Sequence, residues 1–326
     1  MPLGRLVEGR WVNEERDRDG QGRFNRTPTT FRNQVTADGA SGYPAEAGRY
    51  HLYVSLACPW AHRTIILRKL KGLDGAIGLS VVHPVIEDNG WSFAPYPGST
   101  GDLVHGFDYL WQLYTHAEPT YTGKVTVPVL YDTRTGTIVN NESRQIVRML
   151  EREFDAFARH PQENFYPEDC QSAVERASDD IYQPINNGVY RSGFATSQSA
   201  YEEAVQELFA ALDRYDALLG EQRYICGDRL TEVDWFLFTT LYRFDPVYYV
   251  HFKCNWKRIC DYPNLWNYLK ELYQYPGVSD TCNLDHIKRH YYMSHTNINP
   301  LRIVPWGPSY DLTSSYERGR KPVALR

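Results

Sequence analysis

A chain of 326 residues carries more sequence than one typical domain needs, so two domains are expected. Its 35 basic and 40 acidic side chains leave a formal charge of −5, which with no Lys/Arg block argues against a general nucleic-acid binder. No segment reaches the ~18 uninterrupted apolar residues of a membrane span, and the N-terminus lacks a signal-like apolar run, so a soluble cytoplasmic protein with no membrane partner is expected.

Residues 1 to about 45 are polar, charged and punctuated by Gly and Pro, with Trp11, Phe24 and Phe31 as isolated anchors; they read as an extended arm packed on the body. Tyr50 to Leu56 is an apolar, β-branched and aromatic run that predicts a buried strand. Cys58-Pro59 follows, then Ile65, Ile66, Leu67 and Leu70 at helical spacing. This puts Cys58 at a strand-to-helix junction. There the free amides and the helix dipole favour the thiolate and can lower a cysteine pKa from ~8.5 into the ~3.5–7.5 range. The turn resembles the active-site turn of thioredoxin-fold proteins, except that Ala61 stands where a dithiol needs its second cysteine. A mixed disulfide on Cys58 must then be resolved by an outside thiol, in a cytosol glutathione. The competing reading is a buried structural cysteine. The other cysteines, Cys170, Cys226, Cys254, Cys260 and Cys282, are scattered as reduced thiols are. His251, Cys254 and Cys260 offer three zinc ligands with no evident fourth, and no metal is expected.

Gly78 to Val85 reads as a second strand. Residues 86–124 form a Gly-, Pro- and aromatic-rich interruption too aromatic for disorder; Trp91 stands in its Gly-flanked part, and Phe107, Leu110, Trp111 and Tyr114 suggest a short helix. Val125-Thr126-Val127-Pro128 leads into a third strand, and the proline suggests a cis bond that turns the Val127 backbone toward an extended peptide ligand. A hairpin at Thr135-Gly136 leads to a strand from Thr137. Asn141-Glu142-Ser143 then opens a helix from Arg144 to Phe154, where amides suit a carboxylate and Glu142 an ammonium, the two charged groups at the γ-glutamyl end of glutathione. Ordinary N-capping explains the same residues without a ligand. Residues 155–169 read as a linker. Helices are expected at Ser172–Asn186, Ser199–Leu219, Glu232–Tyr242 and Leu265–Tyr273, with Thr231 to Asp234 as a capping box, and the last fifty residues as an aromatic, basic tail.

This order resembles the glutathione transferases over almost the whole chain. Cys58-Pro59-Trp60-Ala61-His62-Arg63, the Gly90-Trp91 loop and the tail Lys288-Arg-His-Tyr-Tyr-Met-Ser-His295 with Ile298-Asn-Pro look like the xi class, the glutathionyl-hydroquinone reductases. The resemblance implies a thioredoxin-like α/β domain over 46–155 and an all-helical domain with its tail over 170–326. It further implies Cys58 as nucleophile, glutathione held by Trp91, Val125, Thr126, Val127, Pro128, Glu142 and Ser143, and Tyr190, Tyr248 and Tyr291 facing the cleft as catalytic phenols. Its co-substrate is glutathione, its substrates are aromatic glutathionyl-hydroquinones, and the family is dimeric, so a homodimer is expected. The rivals are an omega-like thiol transferase or dehydroascorbate reductase, a conjugating transferase, which would activate glutathione through a hydroxyl, and a non-catalytic assembly module, which would tolerate loss of the cysteine. For each tyrosine the competing reading is an amphipathic aromatic that seals the domain interface.

Overall fold

The computed structural model describes residues 4–13 and 19–318; the rest of the expected arm and tail lies outside the described residues. Two compact units divide the chain. One holds 4–13, Asn25–Asn164 and Asp280–Pro305; the other holds Asp19–Phe24, Phe165–Ser279 and 306–318. The expected boundaries are thus redrawn: the arm and the tail are each shared between units. Long-range pairing decides this. In the second unit Arg23 binds Glu203 (Nη2–Oε2 2.7 Å) and Gln21 O accepts from Ser197 Oγ at 2.7 Å.

The first unit opens with a hairpin, β1 (Arg5–Val7) and β2 (Arg10–Val12). Its two-residue turn sets Glu8 and Gly9 at φ 48° and 76°, as a twisted hairpin of this length requires. Its four-stranded sheet runs β4 (Ile77–Val81), β3 (Tyr50–Val54), β5 (Val129–Asp132), β6 (Thr137–Asn140), with β3–β4 parallel and the other pairs antiparallel. Being central, β3 is buried at all five residues, which is why it reads as a continuous apolar run. The second strand stops at Val81 rather than Val85, because His83-Pro84 cannot continue the ladder. β5 likewise begins only after Pro128. The Val127–Pro128 peptide is cis, as expected from sequence. Between β3 and β4 lies α1 (Pro59–Leu70), with Pro59 in its first turn and Gly72 at φ 67° just past its end. α2 (Leu110–Ala117) is the short helix of the long interruption, and α3 (Ser143–Arg152) follows β6.

A bidentate ion pair ties the start of β3 to β5. Arg49 meets Asp132 at 3.0 Å and 2.6 Å with both side chains buried. Burial pushes the Asp132 carboxyl up, but the Arg49 guanidinium and the Thr135 and Arg134 donors outweigh it and hold the group below the usual carboxylate range.

The second unit is helical: α4 (Gln171–Ile181), α5 (Gly188–Gly193), α6 (Gln198–Glu221), α7 (Glu232–Arg243), the single turn α8 (Tyr249–His251) and α9 (Pro263–Tyr273). The helix expected at Ser172–Asn186 ends early. At Tyr182–Asn186, and again at Phe244–Tyr248, the chain widens into a π turn with a proline, Pro184 or Pro246, as its third residue. A proline inside a helical run removes an N–H and crowds the carbonyl four residues back, and widening the turn relieves both. The Thr231–Asp234 capping box opens α7 as expected, and its carboxylate is buried among four donors: Ile225 N, Thr231 N, Thr231 Oγ1 and Tyr268 Oη.

The expected tail contains regular structure. Its first part folds as α10 (Leu284–Ser294), capped by Asn283 accepting from His286 N at 2.9 Å, and belongs to the first unit. No helix among the described residues is long and apolar enough to cross a membrane.

Candidate active site

Cys58 is the N-cap of α1, in extended conformation, and its side chain does not cap the helix. The residue is partly exposed, and its sulfur lies 3.6 Å from the Val127 carbonyl oxygen. The strand-to-helix junction and the Val-cis-Pro segment therefore meet at the thiol, and no cysteine stands at position 61 to close a local disulfide. Three other thiols are held protonated: burial pushes Cys254 up to about 12 and Cys226 and Cys260 up to about 11. Among the described residues no group of three or more His, Cys, Asp or Glu is placed to hold a metal.

A second cradle lies at the start of α3. Ser143 is 2% exposed, and its Oγ has no hydrogen-bond partner among the described residues. Such a buried hydroxyl at a helix N-terminus suits a ligand carboxylate. Glu142 caps the helix, accepting from Arg144 N at 3.4 Å, and also accepts from Thr29 Oγ1 at 3.2 Å and faces Arg32 at 3.8 Å. Capping does not enclose Glu142, whose side chain keeps 31% of its surface exposed.

Tyr114 joins the two segments. Its hydroxyl donates to Thr126 O at 2.9 Å and accepts from Thr126 N at 3.2 Å and Asn141 Nδ2 at 3.3 Å. Burial pushes this phenol up to about 12, so it stays protonated and can donate. The hydroxyl holds Val125–Pro128 in register with the Glu142–Ser143 turn.

The Gly90-Trp91 loop is buried too. Trp91 is 8% exposed and stacks on His290 of α10, centroids 5.0 Å apart and planes 13° from parallel. Gly90 sits at φ 77°, and a Cβ there would come 2.6 Å from the Trp11 ring. That approach is open only to glycine.

Known families match this arrangement. Residues 57–153 match the glutathione S-transferase N-terminal domain and residues 198–271 its C-terminal domain. The chain is 49% identical to the glutathionyl-hydroquinone reductase YqjG of Escherichia coli, covering 97% of this chain and 98% of that one. It is 46% identical to PcpF, the glutathionyl-hydroquinone reductase of Sphingobium chlorophenolicum, covering 95% and 98%. A solved xi-class transferase from Natrialba magadii superposes with a TM-score of 0.92 at 52% identity, covering 97% of this chain and 96% of that one. The chain belongs to the xi class of the glutathione transferases.

In this xi-class transferase the expected tyrosines divide between the units. Tyr190 and Tyr248 lie in the helical unit, buried, with hydroxyls 3.5 Å apart and rings in an edge contact at 5.9 Å. Phe252 backs both: it stacks on Tyr248 at 5.5 Å and meets Tyr190 at 5.5 Å. Both tyrosines owe their placement to the proline-widened turns, since Tyr248 closes one and Tyr190 follows the other. Tyr291 lies in the first unit, on α10, 1% exposed and edge-on to His290 and His295. The two tyrosine doublets resolve differently. Tyr248 is buried and Tyr249 only partly so, whereas Tyr291 and Tyr292 are both buried.

Sequence reasoning did not single out Tyr114 as a link between the two segments, nor Thr29, Arg32 or Arg26, whose guanidinium lies 5.0 Å over the ring of Trp60, two residues after Cys58 in the chain. The arm is held by specific bonds. Phe31 and Asn141 exchange backbone and side-chain bonds at 3.3 Å and 3.1 Å. Only Tyr114 left a signal, as part of the apolar face Leu110, Trp111 and Tyr114, where a buried phenol must find a partner.

Proposed function

We propose that this transferase reduces S-glutathionyl-hydroquinones with glutathione. The observation that carries the reading is a partly exposed cysteine at a helix N-cap beside a cis-Pro segment. The Cys58 thiolate attacks the substrate sulfur, forming Cys58–S–SG while the aromatic carbon departs with the bonding pair and takes a proton. The thiolate of a second glutathione attacks the mixed disulfide, restoring the Cys58 thiolate. Hydroquinone and oxidised glutathione are the products. Relatives named for this activity, and a glutathione-bound solved structure of the E. coli relative at TM-score 0.89, support it. A conjugating role fits poorly, because a nucleophilic cysteine is consumed as a disulfide. Parallel assays with a glutathionyl-hydroquinone, dehydroascorbate and chlorodinitrobenzene test the reading; the first substrate turning over slowest overturns it.

Glutathione in this proposal lies along Trp91 and the Val125–Pro128 backbone, with its γ-glutamyl carboxylate on Ser143 and its ammonium on Glu142. Ser143→Ala removes a hydroxyl with nothing else to bond, and is expected to weaken glutathione binding by ~1.5–3 kcal/mol, the usual worth of a charge-assisted bond, without lowering the melting temperature. Calorimetry giving wild-type affinity would remove Ser143 from the site.

Tyr190 is assigned as the proton donor to the departing carbon, and Tyr248 and Tyr291 as donors to the Cys58 thiolate. Tyr190→Phe is expected to slow hydroquinone release yet leave Cys58 alkylation by iodoacetamide unchanged. Tyr248→Phe and Tyr291→Phe are expected to shift the alkylation profile to higher pH by ~1 unit, the ~1.4 kcal/mol of a lost bond to the charged form. Identical profiles in all three variants would leave these rings as packing alone.

The assembly proposed is a homodimer working in the cytoplasm, where glutathione is abundant. Sedimentation showing only the 37.8 kDa species at micromolar concentration overturns the dimer.

A further inference from the structure

One face of α10 is stitched to the Trp91 loop at every turn. Asp285 accepts from Tyr96 Oη at 2.6 Å, His286 Nε2 donates to Pro97 O at 2.7 Å, His290 Nδ1 donates to Pro84 O at 3.0 Å, and Ser294 Oγ accepts from Ile86 N at 2.9 Å. His286, His290 and Ser294 recur four apart, so they share one helix face. His290 adds a ring contact to its bond, because Trp91 lies flat on its imidazole. The opposite anchor is Trp11, whose Nε1 donates to Asp88 O at 2.8 Å while its ring covers Gly90.

We propose that His290 is a positioning residue for glutathione binding. It fixes the plane of Trp91 through the stacked imidazole, and its Nδ1–H bond to Pro84 O fixes the imidazole in turn. Tyr291 is the next residue on the same helix. A displacement of α10 therefore moves the Trp91 support and a phenol of the reaction together. The inference rests on the assignment of Trp91 to glutathione.

Calorimetry of glutathione binding to His290→Ala, His290→Phe, His290→Gln, Trp91→Ala and the Trp91→Ala/His290→Ala double variant tests it. His290→Ala should bind ~3–10-fold more weakly, the worth of an aromatic pair. His290→Phe keeps a ring under Trp91 and should lose less affinity than His290→Gln, which keeps only an amide donor. In the Trp91→Ala background His290→Ala should cost nothing further, since the ring it positions is gone. Wild-type binding by His290→Ala beside weakened binding by Trp91→Ala overturns the inference and spares the Trp91 assignment. So do fully multiplicative losses in the double variant, or a His290→Gln variant that outperforms His290→Phe. Wild-type binding by Trp91→Ala overturns both. If His290→Ala does not fold, the Phe and Gln variants decide.

Discussion

Cys58→Ser is expected to abolish glutathione-dependent reduction, by about 10³-fold or more, while leaving a protein that melts no lower than the wild type. The two halves of this expectation have separate causes. Serine is too weak an acid to attack a sulfur at neutral pH, so the covalent intermediate does not form. As an N-cap, however, serine is among the best residues, and Cys58 caps nothing with its side chain, so the start of α1 loses no bond. Iodoacetamide at neutral pH should label Cys58 ahead of Cys226, Cys254 and Cys260, whose thiols burial holds up at about 11, 12 and 11. Turnover within tenfold of wild type, or preferential labelling of one of those three, removes Cys58 from the mechanism.

Asp234→Ala is expected to lower the unfolding free energy by about 3–5 kcal/mol, more than any other substitution considered above. Its carboxylate lies fully buried and collects Ile225 N at 3.0 Å, Thr231 N at 2.8 Å, Thr231 Oγ1 at 3.0 Å and Tyr268 Oη at 2.8 Å. Alanine strands all four donors out of reach of water. Tyr268→Phe removes a single donor and leaves the others paired, so about 1 kcal/mol is expected. Urea unfolding of the two variants compares them directly. Equal losses would mean that the Tyr268 bond accounts for the whole effect and that the Ile225 and Thr231 bonds add nothing.

The site was legible wherever its chemistry depends on neighbours in the chain. A thiol one residue before a helix-opening proline, with alanine three residues on, states its own place at a helix start and the absence of a local disulfide partner. Val127-Pro128 announced its cis peptide, and Thr231 to Asp234 its box, because steric and capping preferences act within four residues. The interrupted helices were half legible. Pro184 and Pro246 stand in the sequence, yet a proline in a helical run is compatible with a stop, a kink or a widened turn, and only packing selects among them. That selection put the Tyr190 and Tyr248 hydroxyls 3.5 Å apart.

Local periodicity and turn chemistry determined the four strands of the main sheet, most of the helices, the position of Cys58 at a helix start and the capping motif of this transferase, since each is set by residues that are also adjacent in the chain. Tertiary structure decided which surfaces those elements meet. It set Thr29 against Glu142, 113 positions away, and His290 against Pro84, 206 away. It made part of the tail a helix of the first unit, and it made Tyr114 the link between two proposed glutathione-binding segments. Such contacts leave no period in the sequence. Each is one hydrogen bond or ring contact between distant residues, and its energy appears only after the chain entropy of bringing them together has been overcome by the burial of the surrounding core.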